Sequence, residues 1–239
     1  MRIIGHRGAR GEAPENTLAG FHYLKDLGIR AVEFDVRQLS DQQLVVIHDD
    51  HFQRTAQQAL KLTGLAYQDI QHINQAALWS DHAQQATPLL SDVLPILADF
   101  EHIEVEIKSV ESSAAAEQLI EQLSPMLDAF TQQVVVTSFD PKILIALQLQ
   151  RSTLRRGLLV EMDIATQAID FALQLGCCQI GWQDQLVNSS ILNAMQQAQL
   201  NCSVWTVNDV ERAKLLADHG VQGLITDYPK RMQQYLSTT

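Results

Sequence analysis

The stretch Ala31-Val-Glu-Phe-Asp-Val36 places two carboxylates where a buried strand would carry none. Val32, Phe34 and Val36 favour pleated structure, and Glu33 and Asp35, two residues apart, leave a strand on the same face. Carboxylates on a buried face repel one another and lose hydration, a state that a fold tolerates when something positive sits between them. A divalent metal ion is the obvious candidate. The bland alternative is a half-buried strand whose two acids face water. Other groups able to do chemistry accompany them: His6-Arg7, His48-Asp49, and Glu104-Val-Glu-Ile-Lys108, in which Glu106 and Lys108 share a face. A free imidazole titrates near pH ~6.5, so His6 and His48 are suited to taking and giving protons.

These residues need a scaffold. Short β-type runs occur at Ile3-Ile4, Val32–Val36, Ile103–Ile107, Val134–Thr137, Gly157–Val160, Gln179–Gly181, Ser203–Val207 and Gly223–Thr226. Between most of them, apolar residues recur at three- and four-residue spacing, as in Leu18-Phe21-Leu24, Leu89-Val93-Leu97 and Ile143-Leu147. Gly28, Gly176 and Gly220 stand where helix C-caps belong. Repeated strand–helix units point to a parallel sheet, and their number fits a (β/α)8 TIM barrel, typically ~250 residues long. The competing doubly wound sheet usually has a glycine-rich phosphate loop after its first strand, and Gly-His-Arg-Gly at 5–8 does not match it. In a barrel, reactive groups gather at the C-terminal ends of strands. His6-Arg7, Glu33 with Asp35, Glu106 with Lys108, Ser138-Phe139 and Trp205-Thr-Val-Asn208 all fall there, and a short strand at Leu44–Ile47 delivers His48-Asp49.

The region 49–88 is polar and irregular and reads as a small insertion after the second strand, partly helical around Tyr67–Ala77. The chain is expected to be one catalytic domain over 1–239 with this insertion inside it. Its 239 residues carry a net charge of −11, which argues against nucleic acid or an anionic membrane surface as partner. No signal peptide or membrane-spanning run is evident, and the three cysteines form no even framework, so a reduced, cytoplasmic protein is expected. Asn16 reads as the cap of the first helix. Thr226-Asp227 reads as the close of the last strand and the cap of its helix. His22, His51, His72, His82, His102 and His219 are expected to be solvated.

Taken in order, His6-Arg7-Gly8, Pro14-Glu-Asn-Thr17, Glu33-Phe-Asp35, His48-Asp49, Glu106-Ile-Lys108, Trp205-Thr-Val-Asn208 and Gly223-Leu-Ile-Thr-Asp-Tyr-Pro229 resemble the glycerophosphodiester phosphodiesterase family. The resemblance implies a barrel enzyme that cleaves glycerophosphodiesters to sn-glycerol 3-phosphate and an alcohol. It implies a divalent cation, Mg2+ or Ca2+, held by Glu33, Asp35 and Glu106. It also maps the catalytic histidines to His6 and His48, and the phosphate-contacting cations to Arg7 and Lys108. All-carboxylate ligation suits hard cations of this kind better than zinc. Trp205 reads as barrel core or as an aromatic wall for the glycerol moiety, and Phe139 as core packing or the pocket rim. Glu104 departs from the family's usual neutral residue and reads as a spare ligand or a partner for a buried cation. A phospholipase D-like or lysophospholipase D-like member of the same superfamily, and a silent barrel that binds the diester without cleaving it, are the alternatives.

Overall fold

The structure, a computed structural model, describes residues 1–236. Among these residues the strands are β1 (Arg2–His6), β2 (Ala31–Gln38), β3 (Leu44–Val46), β4 (His102–Ile107), β5 (Val134–Ser138), β6 (Arg155–Val160), β7 (Gln179–Gln183), β8 (Asn201–Trp205) and β9 (Gly223–Thr226). All but β3 pair in parallel in the order β1-β2-β4-β5-β6-β7-β8-β9, and β9 pairs back to β1. The sheet therefore closes, and helices such as Leu18–Asp26, Ser113–Leu127 and Val210–Asp218 surround it, as the TIM-barrel reading requires.

The period of two explains the closure. On β2, Val32, Phe34 and Val36 are fully buried under the outer helices, and Phe34 meets Phe21 of the first helix edge-on with ring centroids 5.6 Å apart. Burying a side chain of this size contributes about 1.5–3 kcal/mol. The alternate residues Glu33 and Asp35 are thereby turned into the barrel. Gly28, Gly176 and Gly220 take the left-handed backbone of helix C-caps at φ +76°, +66° and +79°.

Several local expectations are corrected. The apolar run Leu89–Leu97 makes only a one-turn helix, Leu90–Val93, because Pro95 has no N–H to continue it. The helix expected around Tyr67–Ala77 stops at Ile70; Asn74 Oδ1 instead accepts from Ala76 and Gln85 backbone N–H, each at 3.0 Å. Strand β8 ends at Trp205, after which Val207 N–H bonds to Ile225 O at 2.9 Å. His102 is buried, and Asn16 does not cap the first helix. Thr17 does, its side chain accepting from Gly20 N–H at 3.1 Å.

Residues 49–88 follow β3, which runs antiparallel to the end of β2. Phe52, Ile70 and Ile73 pack against Val45 and Ile47 in a cluster of their own. Buried Gln75 bridges the segment, bonding Thr55 and donating to Thr87 Oγ1 at 2.7 Å. Among the described residues no helix is long and apolar enough to cross a membrane.

Candidate active site

Strand register assembles the acids. His6 on β1 lies beside Glu33 on β2, and Asp35 on β2 lies beside Glu106 on β4. Adjacent strands are about 4.8 Å apart, so inward-facing neighbours must share space. Ligand oxygens of Glu33, Asp35 and Glu106 all fall within 4.8 Å of one another, and all three residues are buried. Asp35 is their centre. Its Oδ2 accepts from Asn16 Nδ2 at 2.8 Å and lies 3.2 Å from Arg7 Nε, while Lys108 Nζ stands 2.5 Å from Oδ1. Lys108 also bonds Glu106. Its ammonium thus sits among the carboxylates and not on the pocket wall.

The charges are unequal. Burial, reinforced by Asp35 and Glu106, pushes the Glu33 carboxyl well above its usual value. Burial and then Asp35 push Glu106 up to about 7. Burial alone would raise Asp35 too, but Lys108 and Arg7 hold it well below the carboxylate range. One firmly ionised acid is thus flanked by two reluctant ones. The donor set is three carboxylates, and Asp35 Oδ1 accepts no well-aligned hydrogen bond although it is buried. Oxygen-only ligation fits a hard divalent cation.

The histidines are built alike. His6 Nδ1 is 2.6 Å from Asp227 Oδ1, and His48 Nδ1 is 2.6 Å from Asp49 Oδ1. Donation from Nδ1–H to a carboxylate leaves Nε2 as the free nitrogen. His6 Nε2 stands 3.9 Å from Glu33 Oε2. The β2–β3 hairpin carries His48 back beside Asp35: Ile47 N–H bonds to Asp35 O at 3.0 Å, and Arg37 Nε donates to the His48 carbonyl at 2.9 Å. Burial lowers the His6 imidazole despite Asp227, and lowers His48 to about 4 despite Asp35 and Asp49. Both rings are accordingly neutral near pH 7.

Arg7 follows β1 with a left-handed backbone, φ 52°. The turn folds back so closely that a Cβ on Gly5 would lie 2.0 Å from Gly8 O. This aims Arg7 N–H at Glu33 Oε2, 3.2 Å away. Glu15 then gathers three guanidinium groups: Arg7 at 2.9 Å, Arg10 at 3.2 Å and Arg54 at 2.5 and 2.8 Å. Burial opposes its charge, yet Arg54 and Arg7 bring Glu15 down to about 2. Arg54 Nε also donates to Asp49 Oδ2 at 2.8 Å, so a continuous chain of contacts links Arg7 to His48 through the insertion.

Above the acids opens a cavity of about 290 Å³ lined by His6, Arg7, Arg10, Glu33, His48, Glu106, Phe139, Leu159, Glu161, Trp205, Thr206 and Ile225. Phe139 and Trp205 meet nearly perpendicularly, 87°, with centroids 5.4 Å apart, and Trp205 Nε1 donates to Gly181 O at 3.0 Å. Glu104 is not part of this site. It accepts from His102 Nε2 at 2.9 Å and Ser203 Oγ at 3.4 Å, lining a cavity of about 650 Å³ at the opposite end of the barrel. That end carries neither His6 nor His48, nor any of the three clustered acids. Glu104 is thus a partner for buried His102, not a spare ligand of the cluster.

Residues 6–231 match the Glycerophosphoryl diester phosphodiesterase family. The chain belongs to that family. This phosphodiesterase is a phosphoric diester hydrolase, and its sequence resemblance is supported along nearly its whole length. It is 26% identical over 234 residues to a glycerophosphodiester phosphodiesterase of Caldanaerobacter subterraneus, covering 96% of this chain and 95% of that one. It is 25% identical over 271 residues to lysophospholipase D GDPD1 of Mus musculus, covering 99% and 86% respectively. In fold it matches an Oleispira antarctica phosphodiesterase solved with the product sn-glycerol-3-phosphate, at TM-score 0.88, 22% identity and coverage of 99% and 97%.

Asp227, Glu15 and Arg54 had no site role in a reading based on reactive residue types, although Glu15 and Asp227 stand within the family-like stretches Pro14–Thr17 and Gly223–Pro229. A weak signal existed for Asp227, which follows the last barrel strand just as His6 ends the first. In the phosphodiesterase, Asp227→Asn is expected to lower kcat about 10- to 100-fold with little change in melting temperature, because the His6 tautomer and ring orientation lose their anchor. Steady-state kinetics beside a thermal melt would check this; an equal fall in stability and activity would mark Asp227 as merely structural.

Proposed function

We propose that this phosphodiesterase hydrolyses glycerophosphodiesters to sn-glycerol 3-phosphate and an alcohol, with a divalent cation, Mg2+ or Ca2+, and His6/His48 acid–base catalysis. The observation that carries the reading is the pair of Asp-anchored imidazoles, free at Nε2, beside a buried three-carboxylate cluster. The product held by the Oleispira antarctica relative supports the choice of substrate. Glu33, Asp35 and Glu106 would hold the cation, which supplies Lewis-acid stabilisation of charge on the phosphoryl oxygens. Arg7 stabilises the same charge from the pocket wall. Lys108 reaches it only by giving up its bonds to Asp35 and Glu106.

His6 takes a proton at Nε2 from a glycerol hydroxyl as that oxygen attacks phosphorus in line, and His48, which must first take up a proton at Nε2, gives it to the departing alcohol. Water then opens the cyclic phosphate. General acid–base catalysis contributes about 10²–10⁴-fold, so positioning and charge stabilisation must supply the remainder of an enzymatic acceleration of at least ~10⁶. Phe139 and Trp205 wall the pocket against the substrate's carbon skeleton. We assign the whole chain to one catalytic domain with 49–88 inserted in it. Its three free thiols, Cys177, Cys178 and Cys202, favour a cytoplasmic setting.

A coupled glycerol 3-phosphate assay over several glycerophosphodiesters, with EDTA and with added Mg2+ or Ca2+, tests the proposal. Turnover should vanish in EDTA and return with the cation; full turnover in EDTA would overturn the metal assignment. A lysophospholipase D-like activity is the second reading, favoured by exposed Met162 and Ile164 just beyond the pocket-lining Glu161. A lysophospholipid in the same assay decides it.

The cation should also reveal itself in stability. Glu106 in the folded protein titrates at about 7, above the ordinary carboxylate value, so below that pH a proton competes for the ligand oxygen. At a fixed cation concentration, the rise in melting temperature on adding Mg2+ or Ca2+ is expected to grow as pH goes from 5 to 8. Scanning fluorimetry across that range checks it; a shift independent of pH would contradict carboxylate ligation.

A further inference from the structure

The cavity above the acids has two chemically different sides. One, on β1 and the turn after it, presents His6, Arg7 and Arg10. The other, at the end of β6, presents Leu159 and Glu161. Counting round the closed barrel, β6 is four strands from β1 in either direction, through β2, β4 and β5 or through β9, β8 and β7. The two groups therefore face each other across the mouth, and Phe139, just after β5 on one arc, meets Trp205, at the end of β8 on the other, between them.

The carboxylates that line this cavity are not equivalent. Glu33 and Glu106 are buried and engaged with Arg7 and Lys108. Glu161 is exposed at the rim, and among the described residues its side chain makes no ion pair or hydrogen bond. A phosphodiester bound near Arg7 and the acid cluster would extend its leaving alcohol outward, toward the rim. A neutral alcohol gains nothing from a carboxylate there, whereas a positively charged amino alcohol gains an ion pair, and a cation passing Trp205 or Phe139 gains attraction to the ring face.

We propose that Glu161, with the Phe139–Trp205 wall, forms a subsite selecting diesters whose leaving alcohol carries a cationic amine. The assignment rests on the hydrolase reading above. It makes Glu161 a specificity residue, not a catalytic one, and binds the head group through charge, with the aromatic wall adding most for a quaternary ammonium.

The test compares kcat/KM for glycerophosphocholine, glycerophosphoethanolamine and glycerophosphoglycerol in wild type, Glu161→Gln and Glu161→Lys. An exposed charge pair contributes modestly, so the choline-to-glycerol preference should fall about two- to fivefold in Glu161→Gln, mainly through KM, and further in Glu161→Lys. A loss shared equally by choline and ethanolamine diesters would assign recognition to charge alone; a larger loss for choline would assign it to charge and aromatic wall together. An unchanged preference in both variants, or a parallel fall on all three substrates, would overturn the subsite. No glycerol 3-phosphate from any diester with wild-type enzyme would overturn the hydrolase reading itself.

Discussion

Asp35→Asn is expected to reduce kcat by at least about 10³-fold while the protein remains folded. Asp35 is the acid of the cluster that stays ionised, and it faces Lys108, Arg7 and Asn16 at once. Losing one preorganised charge-stabilising group commonly costs about 10²–10³ in rate, and here the same change removes a ligand anion. Breaking a buried pair can destabilise by ~3–5 kcal/mol, but Lys108 keeps Glu106 and Arg7 keeps Glu15, so the cost should fall below that range. Glu33→Gln makes the informative contrast. Burial and the neighbouring acids Asp35 and Glu106 disfavour its charge, so the amide should raise the melting temperature of the metal-free protein while still abolishing turnover. If Glu33→Gln melts lower, the view of the cluster as electrostatically crowded is wrong. Circular dichroism melts beside the coupled assay give both readings.

The second large effect lies in the histidines. His6→Ala and His48→Ala should each lower kcat on glycerophosphocholine about 10²–10⁴-fold. A diester with a nitrophenol leaving group separates their roles, because that phenolate departs without needing a proton. With His48 as acid, His48→Ala should recover most of its activity on the nitrophenyl diester; with His6 as base, His6→Ala should stay slow on both. Recovery in His6→Ala alone would reverse the assignment. Near-wild-type kcat in His48→Ala on the choline diester would remove that residue from the mechanism.

How far these residues could be read from sequence depended on whether their signal was local. Glu33 and Asp35 were legible because period-two alternation settles the face of a strand, and the barrel followed from repeated strand–helix units. The neighbour relation of Asp35 to Glu106 came only through the family resemblance, because it depends on the register of two strands far apart in the chain. Asn16 was misread for an instructive reason. It directly precedes the true cap, Thr17, and two adjacent cap-type residues cannot be ranked by type alone. With its left-handed backbone, φ 52°, Asn16 instead turns its amide toward Asp35. His102 was placed in water because a single strand does not announce that it will close into a barrel with Ser203 opposite, although Glu104 stands two residues on along the same face. Glu15 shows the same limit in part: Arg7 and Arg10 share its own loop, but Arg54 comes from the distant insertion.

The double grip of Arg54 on Glu15 and Asp49 bears on anyone who would shorten or transplant this chain. Residues 49–88 look expendable by composition, yet their removal would uncover Val45 and Ile47, strip His48 of its carboxylate and leave Glu15 one guanidinium short. A minimal barrel would have to retain Asp49, Phe52 and Arg54 as a unit, and a loop borrowed from a relative would work only if it brought that unit along.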